Sequence, residues 1–189
     1  MRLTAPRIWP VTDEELDEER AALLKGYRNE RGILNVHRTL ARHTRAARAF
    51  LTWGRYVLRE SDFDPRLREL AILRTGWLCK SGYEWTQHSR VARQVGMRDE
   101  EIERIKLGPQ VSGWADLEVL VLRAADELHE TFHVSDATWR ALGRHLSELH
   151  LMDLVFVVGQ YTQVCMFLNA FGVQVETYQK LDESLRTAG

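Results

Sequence analysis

The sequence predicts an all-α fold, a helical bundle of about eight helices. Three observations carry this. Apolar residues recur with a period near 3.6 in most segments, most clearly in "ADLEVLVLRAADELHETFH". Helix start and stop residues bracket these segments, among them Asp64-Pro65, Ser135, Gly96 and Gly108. Strand signals are missing: there are only 4 prolines and no Asn-Gly or Asp-Gly pair to turn a hairpin.

The elements follow in order. "TDEELDEERAALLKGY" opens with a capping-box pattern, Thr12 to Glu15, and an acidic first turn. It makes residues 1–30 an N-terminal helical extension, either packed on the core or reaching to a partner subunit. Residues 36–59 read as helical with a break near His43. Asp64 as N-cap and Pro65 at the first helical position open "RLRELAILRTGWLCK". A helix over 83–95 stops at Gly96, and "MRDEEIERIKLG" is a short charged helix ending at Gly108. Residues 109–114 form a loop. After the periodic helix that follows, Ser135 caps "DATWRALGRHLSEL", and an apolar helix spans about 151–170. With no linker, repeat or low-complexity stretch, residues 1–189 read as one domain whose core motif helices lie within 60–100.

Composition narrows the function. A net charge of −1, from 26 basic and 27 acidic residues, gives no field for nucleic acid. "LMDLVFVVGQYTQVCMFLNAFG" is interrupted by Asp153, Gln160, Gln163 and Asn169, which predicts a buried helix rather than a membrane span. The first twenty residues lack a signal-peptide pattern. Two cysteines, Cys79 and Cys165, form neither a disulfide framework nor a zinc spacing, so a cytoplasmic setting is expected.

The two central helices hold the informative anomaly. Stepping 100° per residue places Val91, Glu84, Val95, His88, Ala92 and Trp85 in one arc, with Gln94, Gln87, Tyr83, Arg90, Thr86, Arg93 and Ser89 opposite. Glu84 and His88 therefore sit within an apolar stripe. On the preceding helix Ile72, Leu73 and Gly76 surround Glu69 while Leu67, Leu70 and Leu78 line the other side, so Glu69 is expected to be buried too. Gly76 removes a side chain and leaves room for a small ligand. Two buried carboxylates and an imidazole must share protons, which suits general acid/base chemistry and equally suits a polar network that fixes helix register.

"RELAILRTGWLCKSGYEWTQHSRVARQVGM" resembles the core motif of the carboxymuconolactone decarboxylase family, which includes the alkylhydroperoxidase D group. "GILNVHRTLARH", "VSDATWRAL" and "VVGQYTQVCMFLNAFGV" resemble its flanking segments. The resemblance implies an alkylhydroperoxidase D-like all-α fold and a homo-oligomer (dimer, trimer or hexamer). Peroxidase members carry Glu-x11-Cys-x2-Cys-x3-His. Glu69 and His88 fit the ends of that pattern, but its cysteine slots hold Ser81 and Glu84, and Cys79 lies two residues early. The resemblance therefore implies the non-redox branch: a lyase of aromatic-compound catabolism, acting on a small cyclic acid or lactone without metal or organic cofactor. Glu69, Glu84 and His88 are the candidate catalytic residues, with His88 as proton donor or base and a carboxylate orienting it.

Tyr83, Trp85, His37, Asn35, Arg38 and Tyr161 are candidate substrate-binding residues; His37, Asn35 and Arg38 equally fit an ordinary helix start. Arg74 is expected to pair with a carboxylate in the core. Cys79 and Cys165 read most simply as small buried hydrophobes, and His129 with His133 as solvated. Three alternatives stay open: a peroxidase acting through Cys79 alone, a non-catalytic oligomeric binding module, and a divalent-metal site at Glu69, Glu84 and His88.

Overall fold

The computed structural model describes residues 3–186. Its framework is built around one helix, α4 (Pro65–Leu78), whose middle is buried on every side. The Asp64 carboxylate accepts the amides of Arg66 and Leu67, both at 2.9 Å, and Pro65 occupies the first position, as expected. All residues from Glu69 to Gly76 are buried, so the middle of α4 has no solvent face.

Three helices enclose α4: α5 (Gly82–Gln94), α7 (Asp116–Thr131) and α9 (Glu148–Phe171). The short α6 (Asp99–Ile105) and α8 (Asp136–Leu142) fill the flanks, and the loop 109–114 stays a loop. Leu70, Ile72, Leu73, Leu122, Leu154 and Leu168 meet in the core, each at most 1% exposed. α9 is long and apolar enough to cross a bilayer, yet more than half of its apolar stretch is buried within the fold. Ser147 caps its start through a 3.2 Å bond from the His150 amide, and Gly172 closes its end in the left-handed region, φ +71°. A Cβ on Gly172 would stand 2.8 Å from the Ala5 carbonyl, so both backbone conformation and close approach demand glycine there.

The chain before α4 departs from the expected pattern. Thr12 N does donate to Glu15 Oε2 at 2.9 Å, but no helix follows at once. Arg42 holds the Trp9 carbonyl and the Glu15 carboxylate, and Arg38 holds the Val11 carbonyl, so residues 9–15 are pinned to a neighbouring helix instead. The first helix, α1 (Glu18–Leu24), starts later under an Asp17 cap and ends in a single tight turn. A small antiparallel ladder, β1 (Arg28–Asn29) with β2 (Gly32–Ile33), then turns through Asn29 and Gly32. No dipeptide marks it; Asn29 Oδ1 accepting the Arg31 amide at 2.8 Å and Gly32 at φ +102° make the turn.

The expected helix over 36–59 is α2 (Asn35–Leu40), a tight turn over 41–43, and α3 (Thr44–Arg55) capped by His43, followed by a wide turn over 56–60. The N-terminal segment packs on its own chain, with Arg7 N and Ile8 N bonded to the Phe171 carbonyl at 2.8 and 3.1 Å. Val11, Leu24, Ile33 and Ala41 form a second small core beneath it.

Removing the α4 cap isolates its contribution. Asp64→Ala leaves two first-turn amides unpaired and is expected to cost about 1 kcal/mol. That lowers the melting temperature by roughly 2–4 °C for a chain of this size. Thermal unfolding followed by circular dichroism measures it; an unchanged midpoint contradicts the capping role.

Candidate active site

Glu69 lies near the middle of α4 and is 1% exposed. Glu84 and His88 lie one turn apart on α5, which packs against α4 beside Gly76. A Cβ there would sit 3.4 Å from Glu84 Cγ. The Glu84 side chain, rather than a ligand as the sequence suggested, occupies the space beside Gly76.

The three groups meet as expected. His88 Nδ1 is 2.7 Å from Glu69 Oε2, a hydrogen bond, and its Nε2 is 3.1 Å from Glu84 Oε1. The second contact is an ion-pair distance without hydrogen-bond alignment, and Glu84 Oε1 has no hydrogen-bond partner. The Tyr161 ring of α9 stands edge-on to the imidazole, centroids 4.9 Å apart. His88 is the most exposed of the three ionisable groups, its side chain 12% accessible against 1% for Glu69 and 5% for Glu84.

Burial, aided by the Glu69 charge, pushes the Glu84 carboxyl up to about 7, although the nearby imidazolium opposes this. For His88, burial alone favours the neutral ring, but the Glu69 and Glu84 carboxylates together outweigh it and raise the group to about 9. Burial first, then those carboxylates, keeps the Tyr161 phenol protonated. At neutral pH the cluster therefore holds an imidazolium fixed by Glu69 beside a carboxyl poised to gain or lose its proton.

The other candidates lie elsewhere. Tyr83 Oη donates to Glu176 Oε1 at 2.8 Å and accepts the Val36 amide at 3.3 Å. The Asn35 amide donates to the same Glu176 oxygen, and its side chain donates to the Gln174 carbonyl. Gln87, placed by the helical projection on the polar face, is 7% exposed and donates to Glu176 Oε2. The first turns of α5 are thus buried all round, under the chain that follows α9. The projection set Tyr83 and Gln87 opposite the apolar arc, and nothing in their spacing announces Glu176, which comes some ninety residues later.

Arg38 is engaged by Asp13 and the Val11 carbonyl, and Trp85 packs on Trp77, centroids 5.7 Å apart. His37 stacks on Tyr27 at 4.3 Å, and burial drives its imidazole down to about 4, aided by Arg59. Arg74 does pair in the core: it bridges Asp126 at 2.5 and 3.0 Å and caps the Ile105 and Lys106 carbonyls. Among the described residues, no group of three or more His, Cys, Asp or Glu side chains converges to hold a metal ion.

Cys165 is buried, as expected, but Cys79 is only partly so and sits 3.8 Å from His129 Nδ1. His129 was expected to be solvated; the close crossing of α4's end and α7 brings it inward. A cavity of about 760 Å3 is lined by both cysteines and His129, and none of Glu69, Glu84 and His88 lines it.

Residues 44–127 match the carboxymuconolactone decarboxylase family. No curated protein sequence matches the chain. Among solved structures, the chain is similar to a peroxidase-related protein with an alkylhydroperoxidase AhpD core from Ralstonia eutropha JMP134. The TM-score is 0.77 at 16% identity, covering 90% of this chain and 92% of that one. It is also similar to a peroxidase-related protein from Silicibacter sp. TM1040, with a TM-score of 0.73 at 16% identity over 93% and 91% of the two chains. A third is a cysteine-to-alanine variant of the debrominase Bmp8 in complex with 2,3,4-tribromopyrrole, with a TM-score of 0.73 at 12% identity over 92% and 94%. Likenesses this distant in sequence show a common fold.

The proton balance of the cluster is measurable. Both shifted groups bind protons more tightly in the folded protein than in the unfolded chain, so stability falls as pH rises. The Glu84 contribution is lost between its ordinary value of 4.5 and about 7, and the His88 contribution between 6.5 and about 9. The urea midpoint is expected to decline across that range, and Glu84→Gln to flatten the acidic part of the decline. A midpoint that rises over the same interval contradicts the assignment.

Proposed function

We propose that this chain, whose residues 44–127 match the carboxymuconolactone decarboxylase family and whose fold is alkylhydroperoxidase D-like, is a cofactor-independent acid/base enzyme acting on a small cyclic organic acid or lactone. One observation carries the reading: a buried imidazole set between two carboxylates, one of them with an unpartnered oxygen. A purely structural network satisfies its polar atoms, since an orphaned buried acceptor is expensive. Here Glu84 Oε1 is left over.

The roles follow from the geometry. Glu69, bonded to Nδ1, fixes the ring and its charge. The His88 imidazolium supplies positive charge where a substrate carboxylate binds or an enolate develops as a carbon–carbon bond breaks. Glu84, raised to about 7, passes the proton to or from carbon. Tyr161 walls the ring side, and the fold excludes water from the carboxylates. The reaction class this serves is decarboxylation, proton transfer or a related lyase step.

His88→Gln keeps the size of the side chain and removes its charge. It is expected to lower turnover about 10²–10³-fold, the usual worth of one preorganised group that stabilises developing charge, while far-ultraviolet circular dichroism stays native. The assay is carbon dioxide release and solvent-deuterium incorporation across a panel of cyclic carboxylic acids and lactones. Wild-type turnover retained by His88→Gln would remove the imidazole from the chemistry.

A further inference from the structure

The hollow of about 760 Å3 lies between the C-terminal ends of α4 and α7, the outer side of α9 and the first residues of the N-terminal segment. Its volume falls within the usual span of small-molecule sites, about 300–1,000 Å3. Along α9 the wall runs from Val155 to Ala170, about 22 Å of helix at a rise of about 1.5 Å per residue. Such a volume spread over such a length is narrow, which suits an extended chain better than a compact ring system.

The walls are fixed. Asn169 Nδ2 donates to the Cys79 carbonyl at 3.0 Å and ties the end of α4 to α9. Arg7 N and Ile8 N donate to the Phe171 carbonyl, and a Cβ on Gly172 would stand 3.1 Å from Leu3 Cδ1, so the N-terminal segment is held over the end of α9. Gly159, within the α9 wall, faces open space: nothing lies within 4 Å of where its Cβ would stand. Phe132 ends α7 in the left-handed region, φ +59°, which a bulky side chain rarely adopts. Its side chain gains no burial there, being 84% exposed, and Met166 across α9 is 62% exposed. Two large apolar side chains thus border the hollow uncovered.

Charge at the hollow is of one sign. Among the described residues that line it, Arg7 alone carries a permanent charge and none is acidic. Arg38, Arg42, Arg66 and Arg74 each hold a carboxylate elsewhere in the fold, whereas among the described residues none pairs with Arg7. We propose that this hollow binds a medium- or long-chain carboxylate, its alkyl chain lying along α9 and its head held by the Arg7 guanidinium. A guanidinium meets a carboxylate through two parallel N–H bonds, and the alkyl chain gains by leaving water for an apolar wall. None of Glu69, Glu84 and His88 lines the hollow, so this site owes nothing to the acid/base reading above and is tested apart from it.

Laurate and dodecanol separate the two parts of the claim, since they share a chain and differ in charge. The reporter is cis-parinaric acid, which fluoresces in apolar surroundings. Titration of the protein is expected to show one site per chain, with laurate displacing the reporter about tenfold more tightly than dodecanol, the order of magnitude a charge-assisted hydrogen bond supplies. Arg7→Gln is expected to bring laurate down to the level of dodecanol and to leave dodecanol unchanged. Gly159→Leu puts a side chain into the hollow and replaces a weak helix former, so it is expected to abolish binding of both while thermal stability is kept. Bound laurate is also expected to slow alkylation of Cys79 by N-ethylmaleimide, because Cys79 lines the hollow. Equal affinity for laurate and dodecanol, a laurate affinity unmoved by Arg7→Gln, or binding undiminished in Gly159→Leu each overturns the proposal. So does a wild-type protein that binds no reporter, the result expected if a second copy of the chain covers this face.

Discussion

A helix enclosed on all sides can carry no idle charge, and α4 sets that condition for everything around it. The polar groups of its buried middle are answered within the fold. Glu69 takes His88 from α5, Arg74 takes Asp126 from α7 and the last carbonyls of α6, and the Thr75 hydroxyl turns back to the Ala71 carbonyl. The Glu69 and Arg74 pairings each fix where a surrounding helix must lie, because a buried charge without its partner costs several kcal/mol. The arrangement of the bundle and the placing of the acid/base cluster are therefore one problem with one solution.

Much of this was legible in the residues. Asp64-Pro65, Ser135 and Gly96 marked helix ends that the structure keeps, since capping depends on a few adjacent atoms. Burial of Glu69 and Glu84, and near-burial of His88, followed from the two-sided apolar pattern, and their meeting followed from burial, because buried charges must pair. What stayed hidden depends on contacts distant in sequence. Glu176 converts Tyr83 and Gln87 from apparent surface residues into internal ones, and Arg42 diverts the promised helix after Thr12. Local periodicity carries no term for either. That Cys79 and Cys165 line one hollow was illegible for the same reason: it is fixed by how α9 crosses the end of α4.

α9 separates two kinds of environment. Tyr161 faces the charged cluster, and Cys165, one turn further, lines the same hollow as Cys79. On one side protons are shared among ionisable groups at low dielectric; on the other, two sulfurs open on an apolar hollow. Tyr161 and Cys165 are each held protonated first by burial, so the helix between the two environments carries no charge at that point.

Glu176 has a consequence for how the molecule is made. One carboxylate receives the amide that begins α2, the Tyr83 hydroxyl and the Gln87 amide. During synthesis the helices of the core leave the ribosome long before this residue does. Until it emerges, the first turns of α5 lack the partner that fixes their rotation, and the half of the cluster that α5 carries shares that freedom. The His88 cluster thus depends on a residue translated after α9, so a nascent polypeptide holds the helices of the core before it holds the carboxylate that fixes α5.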